Sequence, residues 1–226
     1  MRSLVFTIFI CLISVNAFAQ RFTVEELKNV SESGVTTTFP VFHSKTIDTD
    51  VKINTTLQQI ISGLNDEMKL LDYDVKLNSS KVLAVEFDKE DCTRSYCEEY
   101  PSYYNFDART GVLIDIGKLF TDDCFQQVQG MIYETRRKTI NKFLKKARDT
   151  DSKEAFAMYT ECLESLSRED VVRGGFYFDN ENIHFIRFAC SPYIQRELDE
   201  IGVFDDAITF KSLKKHLSAY GKDLIK

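Results

Sequence analysis

The residues best suited to contact a partner are tyrosines and glutamates concentrated in one short stretch of the chain. The cluster consists of Tyr96, Glu98, Glu99, Tyr100, Tyr103 and Tyr104. Tyrosine presents a large contact area and loses little side-chain entropy on binding, so tyrosine-rich segments held on a rigid sheet make good recognition surfaces. The alternative is that alternate tyrosines face the hydrophobic core. We take the stretch from Cys92 to Tyr104, which is expected to join two strands, as the candidate binding surface.

Cysteines stand at the start of this stretch and farther along the chain. Cys92 and Cys97 flank four residues, a spacing that a hairpin-end disulfide satisfies when the two Cα atoms come within about 7 Å. The spacing permits this bond without requiring it. Cys124, Cys162 and Cys190 each lie among apolar neighbours, so we expect them to be buried as small hydrophobic side chains.

No arrangement of residues in the sequence predicts a catalytic or metal site. A zinc peptidase motif needs two histidines one helical turn apart, whereas His43, His184 and His216 are isolated. The Gly-x-Ser-x-Gly pattern of a nucleophile elbow does not occur. One zinc-ligand set is conceivable on count alone, at a spacing unlike that of zinc knuckles: Cys92, Cys97, Cys190 and His184. We therefore predict a non-enzymatic protein with no catalytic residues, no metal and no cofactor.

Adjacent carboxylates keep one enzymatic alternative open. Pairs such as Glu98-Glu99 and Asp205-Asp206 could serve as the acid and base of a hydrolase acting on cell-envelope glycans or peptides. Because the chain holds 35 acidic residues, such pairs also arise by chance.

The overall charge limits the choice of partner. The formal net charge is −6, and nucleic-acid binding needs a basic surface, so the sequence argues against a nucleic-acid partner. The densest basic run lies between Arg136 and Arg148, where seven residues are Lys or Arg. We interpret this run as the solvated face of a helix, with an anionic glycan or lipid headgroup as the alternative partner.

The N-terminus predicts export. Arg2 precedes an apolar run from Leu4 to Val15, and the small-residue triplet Ala17-Phe18-Ala19 follows, which is the three-part layout of a cleavable signal peptide over residues 1–19. The apolar run is shorter than the roughly 20 residues of a membrane-spanning helix. We expect residues 20–226 to form one domain, periplasmic or secreted, that does not span the membrane.

Hydrophobic periodicity predicts an α+β fold in which an antiparallel sheet of hairpins packs against helices. A central helical hairpin is expected from two amphipathic stretches, about Asp123 to Arg148 and about Ser152 to Ser167. Strands are expected around it at 36–42, 73–87 with a turn at 78–80, 100–106, 175–188 with a turn at 179–182, and 207–210. The remaining helices are expected after Asp48 and at the C-terminus, the last one capped by Thr209 or Ser212.

Three segments in order resemble a known family. They are Phe39-Pro40-Val41-Phe42 before a helix, the run from Asn105 to Phe120 (NFDARTGVLIDIGKLF), and Pro192-Tyr193-Ile194 leading to Ile208 through Leu213. Their order is similar to the RsiV-like family of extracytoplasmic domains, found in an anti-sigma factor and beside a deacetylase. The resemblance covers most of the chain after the leader. Family members carry a glycine doublet and Ala-His where this chain has Cys97-Glu98-Glu99-Tyr100.

The resemblance implies an α+β module of the bacterial envelope that binds a protein or cell-wall ligand and has no chemistry of its own. Lysozyme binding and sigma-factor signalling do not carry over to this chain. The resemblance and the residue pattern together predict a non-enzymatic binding module for an extracytoplasmic protein or cell-wall ligand.

Overall fold

The computed structural model of the protein describes residues 21–30, 36–64, 68–92, 97–172, 174–187, 190 and 197–225. The predicted signal peptide, Tyr96 and the Pro192-Tyr193-Ile194 segment lie outside these ranges. Within them, none of the helices combines the length and the apolar character of a membrane span.

The first unit is a two-stranded antiparallel sheet followed by a helix. Strand β1 (Thr23–Val30) pairs with β2 (Thr36–His43), and α1 (Ile47–Ser62) follows. The side-chain amide of Asn54 in α1 accepts from the backbone N–H of Phe42 at 2.9 Å and donates to its carbonyl at 2.8 Å. These two bonds fix the helix against β2. Strand β2 and helix α1 confirm the predicted elements, whereas the charge-rich sequence of β1 does not predict a strand.

A four-stranded antiparallel sheet forms the centre of the described structure. Its strands lie in the order β3 (Met68–Asn78), β4 (Val82–Asp91), β5 (Glu98–Asp107) and β6 (Val112–Leu113). The 78–80 turn and the hairpin it closes are confirmed. Strand β5 confirms the strand predicted at 100–106. Because it already begins at Glu98, the expectation that Glu98 to Tyr104 join two strands is wrong. The pairing with β4 continues to the Asp91–Glu98 pair, immediately inside the two cysteines.

The middle of the chain is helical, as predicted. A short helix, α2 (Ile116–Leu119), leads into α3 (Asp122–Asp149), which turns back through α4 (Lys153–Glu164). This αα-hairpin confirms the predicted central helical pair. One member of its basic run departs from the expected solvated face. Arg136 is fully buried, and it is the largest such side chain in the described core.

Arg136 is buried because the surrounding elements satisfy its guanidinium. It forms a 2.6 Å ion pair with Asp206 and donates to the carbonyls of Val171 at 3.2 Å and Phe185 at 3.0 Å. A buried charge is tolerated only when it is paired and hydrogen-bonded in this way. Arg136 therefore joins α3 to the last sheet instead of forming part of a basic surface.

The last third of the chain forms a three-stranded antiparallel sheet and two short helices. The strands are β7 (Phe176–Phe178), β8 (Asn182–Arg187) and β9 (Phe204–Thr209), in that order. The predicted closing helix is divided into α5 (Phe210–Leu213), capped by the Thr209 side chain, and α6 (Ala219–Leu224), capped by the Ser218 side chain. The predicted hairpin with its 179–182 turn is confirmed.

Two disulfides are present among the residues that the structure describes. Cys92 and Cys97 are bonded with their Cα atoms 4.0 Å apart, closing the end of the β4–β5 hairpin. Cys162 and Cys190 are bonded with their Cα atoms 5.1 Å apart. The expectation that these two act as separate buried thiols is wrong, because α4 brings Cys162 to the segment that follows β8. Cys124 is the free cysteine of the described residues.

The buried side chains fall into three clusters. One lies between the central sheet and α1 and includes Phe42, Leu57 and Phe87. A second lies between the other face of the central sheet, the last sheet and α3. The third lies between the far half of the αα-hairpin and Phe204 at the start of β9, and it includes Ile140 and Tyr159. Both faces of the central sheet are thus covered where β4 begins and β5 ends, and the candidate site lies at the opposite, polar end of one face.

Candidate binding surface

The β4–β5 hairpin divides the predicted binding residues between two faces of the sheet. Because successive side chains of a strand point to opposite faces, Glu99 and Tyr103 share one face. The other face holds Glu98, Tyr100 and Tyr104. The sequence cluster is therefore split in the structure, and Tyr96 lies outside the described residues.

Tyr104 belongs to the edge of a hydrophobic cluster. Its ring packs against Phe87 with centroids 5.6 Å apart, and its hydroxyl accepts a 2.7 Å hydrogen bond from the ammonium of Lys89. Lys89 is itself only 7% exposed. This is the core-packing alternative described above, so we do not retain Tyr104 as a contact residue.

Tyr103 points the other way and begins a stack of three rings. The rings of Tyr103 and Tyr177 are 5.1 Å apart, and those of Tyr177 and His184 are 4.3 Å apart and nearly parallel. We call these three residues the ring stack. Gly175 makes room for it, because a Cβ at this position would lie 3.1 Å from the Tyr103 ring and its φ of +98° favours glycine. The stack links β5 of the central sheet to β7 and β8 of the last sheet.

Both ring nitrogens of His184 form hydrogen bonds with carboxylates. Nε2 lies 2.8 Å from Asp179 and Nδ1 lies 2.6 Å from Asp205, while the hydroxyl of Tyr177 donates to Asp205 at 3.1 Å. An ionised carboxylate only accepts hydrogen bonds, so both contacts are satisfied together when each ring nitrogen carries a proton. His184 therefore links the β7–β8 turn to β9.

A lysine lies beside the middle ring of the stack. The ammonium of Lys76 forms ion pairs with Glu86 at 2.6 Å and Asp74 at 2.9 Å, and it lies 5.8 Å from the centre of the Tyr177 ring. Burial favours a lower pKa for Lys76, but hydrogen bonds to Glu86 and Asp74 outweigh it and raise the pKa above its ordinary value. Lys76 is therefore positively charged and neutralised locally.

Beyond the ring stack the same sheet face carries a set of acidic side chains. Strand register places them together, because Asp74 pairs with Glu86 and Glu86 with Tyr103, while Glu90 pairs with Glu99. We call this set the acidic face, and its members are Asp72, Asp74, Glu86, Asp88, Glu90 and Glu99. Four of them, Asp72, Asp74, Asp88 and Glu99, are exposed. Only Lys69 and Lys76 form ion pairs with it within the described ranges.

The geometry argues against catalysis at the ring stack. A general base must have a nitrogen or oxygen free to accept a proton from a nucleophile or from water, and both nitrogens of His184 already face aspartates. Burial, followed by the nearby carboxylate of Asp205, raises the pKa of Tyr177 to about 12. Burial and Glu86 also raise the pKa of Tyr103. Both phenols are therefore protonated hydrogen-bond donors at neutral pH.

The carboxylate pairs of the hydrolase alternative do not converge. Asp205 contacts His184 and Tyr177, whereas Asp206 is bound to the buried Arg136. Glu98 and Glu99 lie on opposite faces of β5 by the same alternation. These pairs therefore do not provide two carboxylates facing one substrate.

The conceivable zinc-ligand set is also excluded by its chemistry. Zinc binds cysteine as the thiolate, but Cys92, Cys97 and Cys190 are all in disulfides. The side chains of Glu90, Cys92 and Cys97 do lie within 4.8 Å of one another. Their sulfur atoms are bonded to each other and supply no thiolate ligand.

Four residues at the ring stack were not among the predicted contacts: Tyr177, Asp179, His184 and Asp205. Nor were Lys76 and the acidic-face residues other than Glu99. Two of the first four were accessible to sequence reasoning, because alternation in the 176–187 hairpin places Tyr177 and His184 on the same face, directly paired. The approach of Tyr103 to Tyr177 was not accessible, because it joins two sheets that are far apart in the sequence.

Comparison with known proteins gives the following result. Neither a protein-family model nor a curated protein matches the sequence. Among solved structures, the chain is similar to a DUF3298 family member from Bacteroides fragilis, with 11% identity, a TM-score of 0.49, and coverage of 89% of this chain and 94% of that one. It is also similar to a DUF3298 family protein from Pseudomonas aeruginosa, with 10% identity, a TM-score of 0.46, and coverage of 88% and 95%. At these values the similarity carries no functional assignment.

Proposed function

We propose that this protein is an exported, non-enzymatic, RsiV-like binding module whose contact surface is the acidic face together with the ring stack. The observation that carries the proposal is the concentration of six carboxylates at one end of the central sheet, with two lysines among them, next to the stacked rings of Tyr103 and Tyr177. The two disulfides support an oxidising compartment, because such bonds persist outside the reducing cytosol.

The charge of this surface determines the kind of ligand it would attract. A surface dominated by one sign of charge raises the local concentration of oppositely charged partners and speeds their association. The tyrosine rings add an apolar contact area that also interacts with cations over their faces. We therefore infer that the ligand is a basic polypeptide segment of an extracytoplasmic protein.

The experiment is affinity capture from envelope extract with the purified protein, followed by mass spectrometry and by titration of the captured partner. The test variant is Asp74→Asn/Asp88→Asn/Glu99→Gln, which removes three exposed charges from the acidic face. The matched control is Glu154→Gln/Glu161→Gln/Glu164→Gln, which removes three exposed charges from α4.

The expected result is a basic partner whose affinity falls at least tenfold in the test variant and not in the control. Its binding should also weaken between 50 and 200 mM salt, since exposed charges are screened at higher ionic strength. A partner that binds both variants as tightly as the unmodified protein, or one that is acidic, would overturn the proposal.

A further inference from the structure

A second surface, on the side of the last sheet where the chain ends, differs from the acidic face in both charge and shape. A groove of about 520 Å³ lies between α5 and α6. We call it the lysine groove, and its lining residues are Phe210, Lys211, Lys214, Leu217, Lys222 and Ile225. Its volume is within the roughly 300–1,000 Å³ of small-molecule pockets. The floor is apolar and the rim is made of lysines.

The rim lysines are exposed and have no counter-ion in the described structure. Lys211, Lys214 and Lys222 are exposed, and none of them forms an ion pair with a described residue. The nearest acid in sequence, Asp223, directs its carboxylate to Arg109. The positive charge at this groove is therefore uncompensated, although the whole chain carries −6.

The groove is held open by short helices that are fixed to the rest of the fold. The Ser218 hydroxyl caps α6 and donates to the carbonyl of Lys118 at 2.7 Å. Gly221 packs directly on α2, because a Cβ there would lie 2.2 Å from the carbonyl oxygen of Leu119. On the other side, the backbone N–H of Phe210 donates to the carbonyl of Glu181 at 2.8 Å. The two walls are thus anchored independently of any ligand.

We propose that the lysine groove binds a long-chain fatty acid anion, with the acyl chain on the partly buried Phe210 and Ile225 and the carboxylate among the three lysines. An apolar floor favours a hydrocarbon chain, because burying it removes apolar surface from water. Ammonium groups around the rim select a negative headgroup over a positive or neutral one. This site is separate from the acidic face and does not depend on the function proposed for it.

The test is isothermal titration of the purified protein with tetradecanoate below its micelle concentration. The charge variant is Lys211→Gln/Lys214→Gln/Lys222→Gln. The matched control is Lys28→Gln/Lys138→Gln/Lys145→Gln, which removes three exposed lysines elsewhere. Thermal melts verify that both variants fold.

We expect tetradecanoate to bind at least tenfold more weakly to the charge variant and unchanged to the control. Shortening the acid by two methylenes should weaken binding by up to about 15-fold, from roughly 0.8 kcal/mol per buried methylene. Tetradecyltrimethylammonium, which has the same tail and the opposite charge, should bind at least tenfold more weakly than tetradecanoate.

A photoreactive tetradecanoate locates the bound chain. Labelling of peptides that contain residues 210–225 supports the proposal, whereas labelling confined to other peptides overturns it. Equal affinity of the charge variant and the control, no binding of any fatty acid, or binding only to vesicles of anionic phospholipid would also overturn it. In the last case, the lysines contact a membrane surface instead of a single amphiphile.

Discussion

The rings of Tyr177 and His184 lie 9° from parallel with their centroids 4.3 Å apart, and the two residues are directly paired across strands β7 and β8. Their contact therefore follows from backbone register. The contact that extends the stack to Tyr103 joins two different sheets. Tyr177 thus helps to attach a local hairpin to the central sheet, together with the hydrogen bond from the Asn105 side-chain amide to the carbonyl of Phe176.

Removal of the Tyr177 ring should weaken this attachment. We expect Tyr177→Ala to lower the free energy of unfolding by about 2 kcal/mol, because two ring contacts are lost. Tyr177→Phe keeps the rings and loses the hydrogen bond to Asp205, which should cost about 1 kcal/mol. Urea denaturation measures both values. Equal losses in the two variants would show that the hydroxyl, and not ring stacking, provides the stability.

Acid should destabilise the protein through Asp179. Burial alone would raise the pKa of this carboxyl, but hydrogen bonds from Asn182, His184 and the backbone N–H of Glu181 lower it to about 2. Between about pH 4 and pH 2 the unfolded chain therefore binds more protons than the folded one. The stabilisation from this group is complete above the ordinary aspartate pKa and is lost as the pH falls towards 2.

Denaturation measured at several pH values checks this expectation. The fall in unfolding free energy from pH 4 to pH 2 should be smaller in Asp179→Asn than in the unmodified protein. Asp149→Asn, at the exposed end of α3, should leave the fall unchanged. An identical pH profile for all three proteins would contradict the role of Asp179.

The two disulfides should differ in their contributions to stability. Cys162 and Cys190 are 28 residues apart in sequence, whereas Cys92 and Cys97 are 5 apart. Loop-closure entropy predicts about 3 to 4 kcal/mol for the longer loop and about 2 kcal/mol for the shorter one. Denaturation of Cys162→Ala/Cys190→Ala and Cys92→Ala/Cys97→Ala measures the difference. A larger loss from the shorter loop would contradict the entropic account.

Two glycines should respond in opposite directions to substitution by alanine. In Gly221→Ala, the new Cβ would meet the carbonyl of Leu119 at 2.2 Å, so α6 must shift and stability should fall by about 2 kcal/mol or more. Gly130 lies within α3 with nothing within 4 Å of its Cβ position. Gly130→Ala should raise stability by about 0.5–1 kcal/mol through helix propensity. Melting temperatures of the two variants give the signs.

The periodicity of hydrophobic residues along the sequence predicted most of the secondary structure. The αα-hairpin and the 176–187 hairpin follow from periodicity, because each buries one face against a neighbour in the way that amphipathic segments do. Strand β1 does not follow from periodicity, since its hydrogen bonds to β2 stabilise a sequence with low strand propensity.

Contacts between residues far apart in sequence determine which tyrosine of the site is packed in the core and which cysteines pair. Tyr104 and Tyr103 are adjacent tyrosines with the same local signal, and only the packing partners, Phe87 for one and Tyr177 for the other, distinguish them. Likewise, the Cys162–Cys190 bond depends on how α4 docks near the end of β8. Neither relationship is encoded in the spacing of residues along the chain.

The αα-hairpin has a consequence for how this fold can vary in size. Its near half packs on the last sheet through Val128, Ile132 and Arg136, whereas its far half is stabilised by a separate group of side chains, which includes Ile140 and Tyr159 and reaches Phe204 at the start of β9. Lengthening a connection costs little entropy, about 0.6 kcal/mol for each doubling. Natural relatives could therefore carry longer or shorter versions of this arm, with insertions at the Thr150-Asp151 bend, and still preserve the sheets and the C-terminal helices that form the two proposed ligand sites.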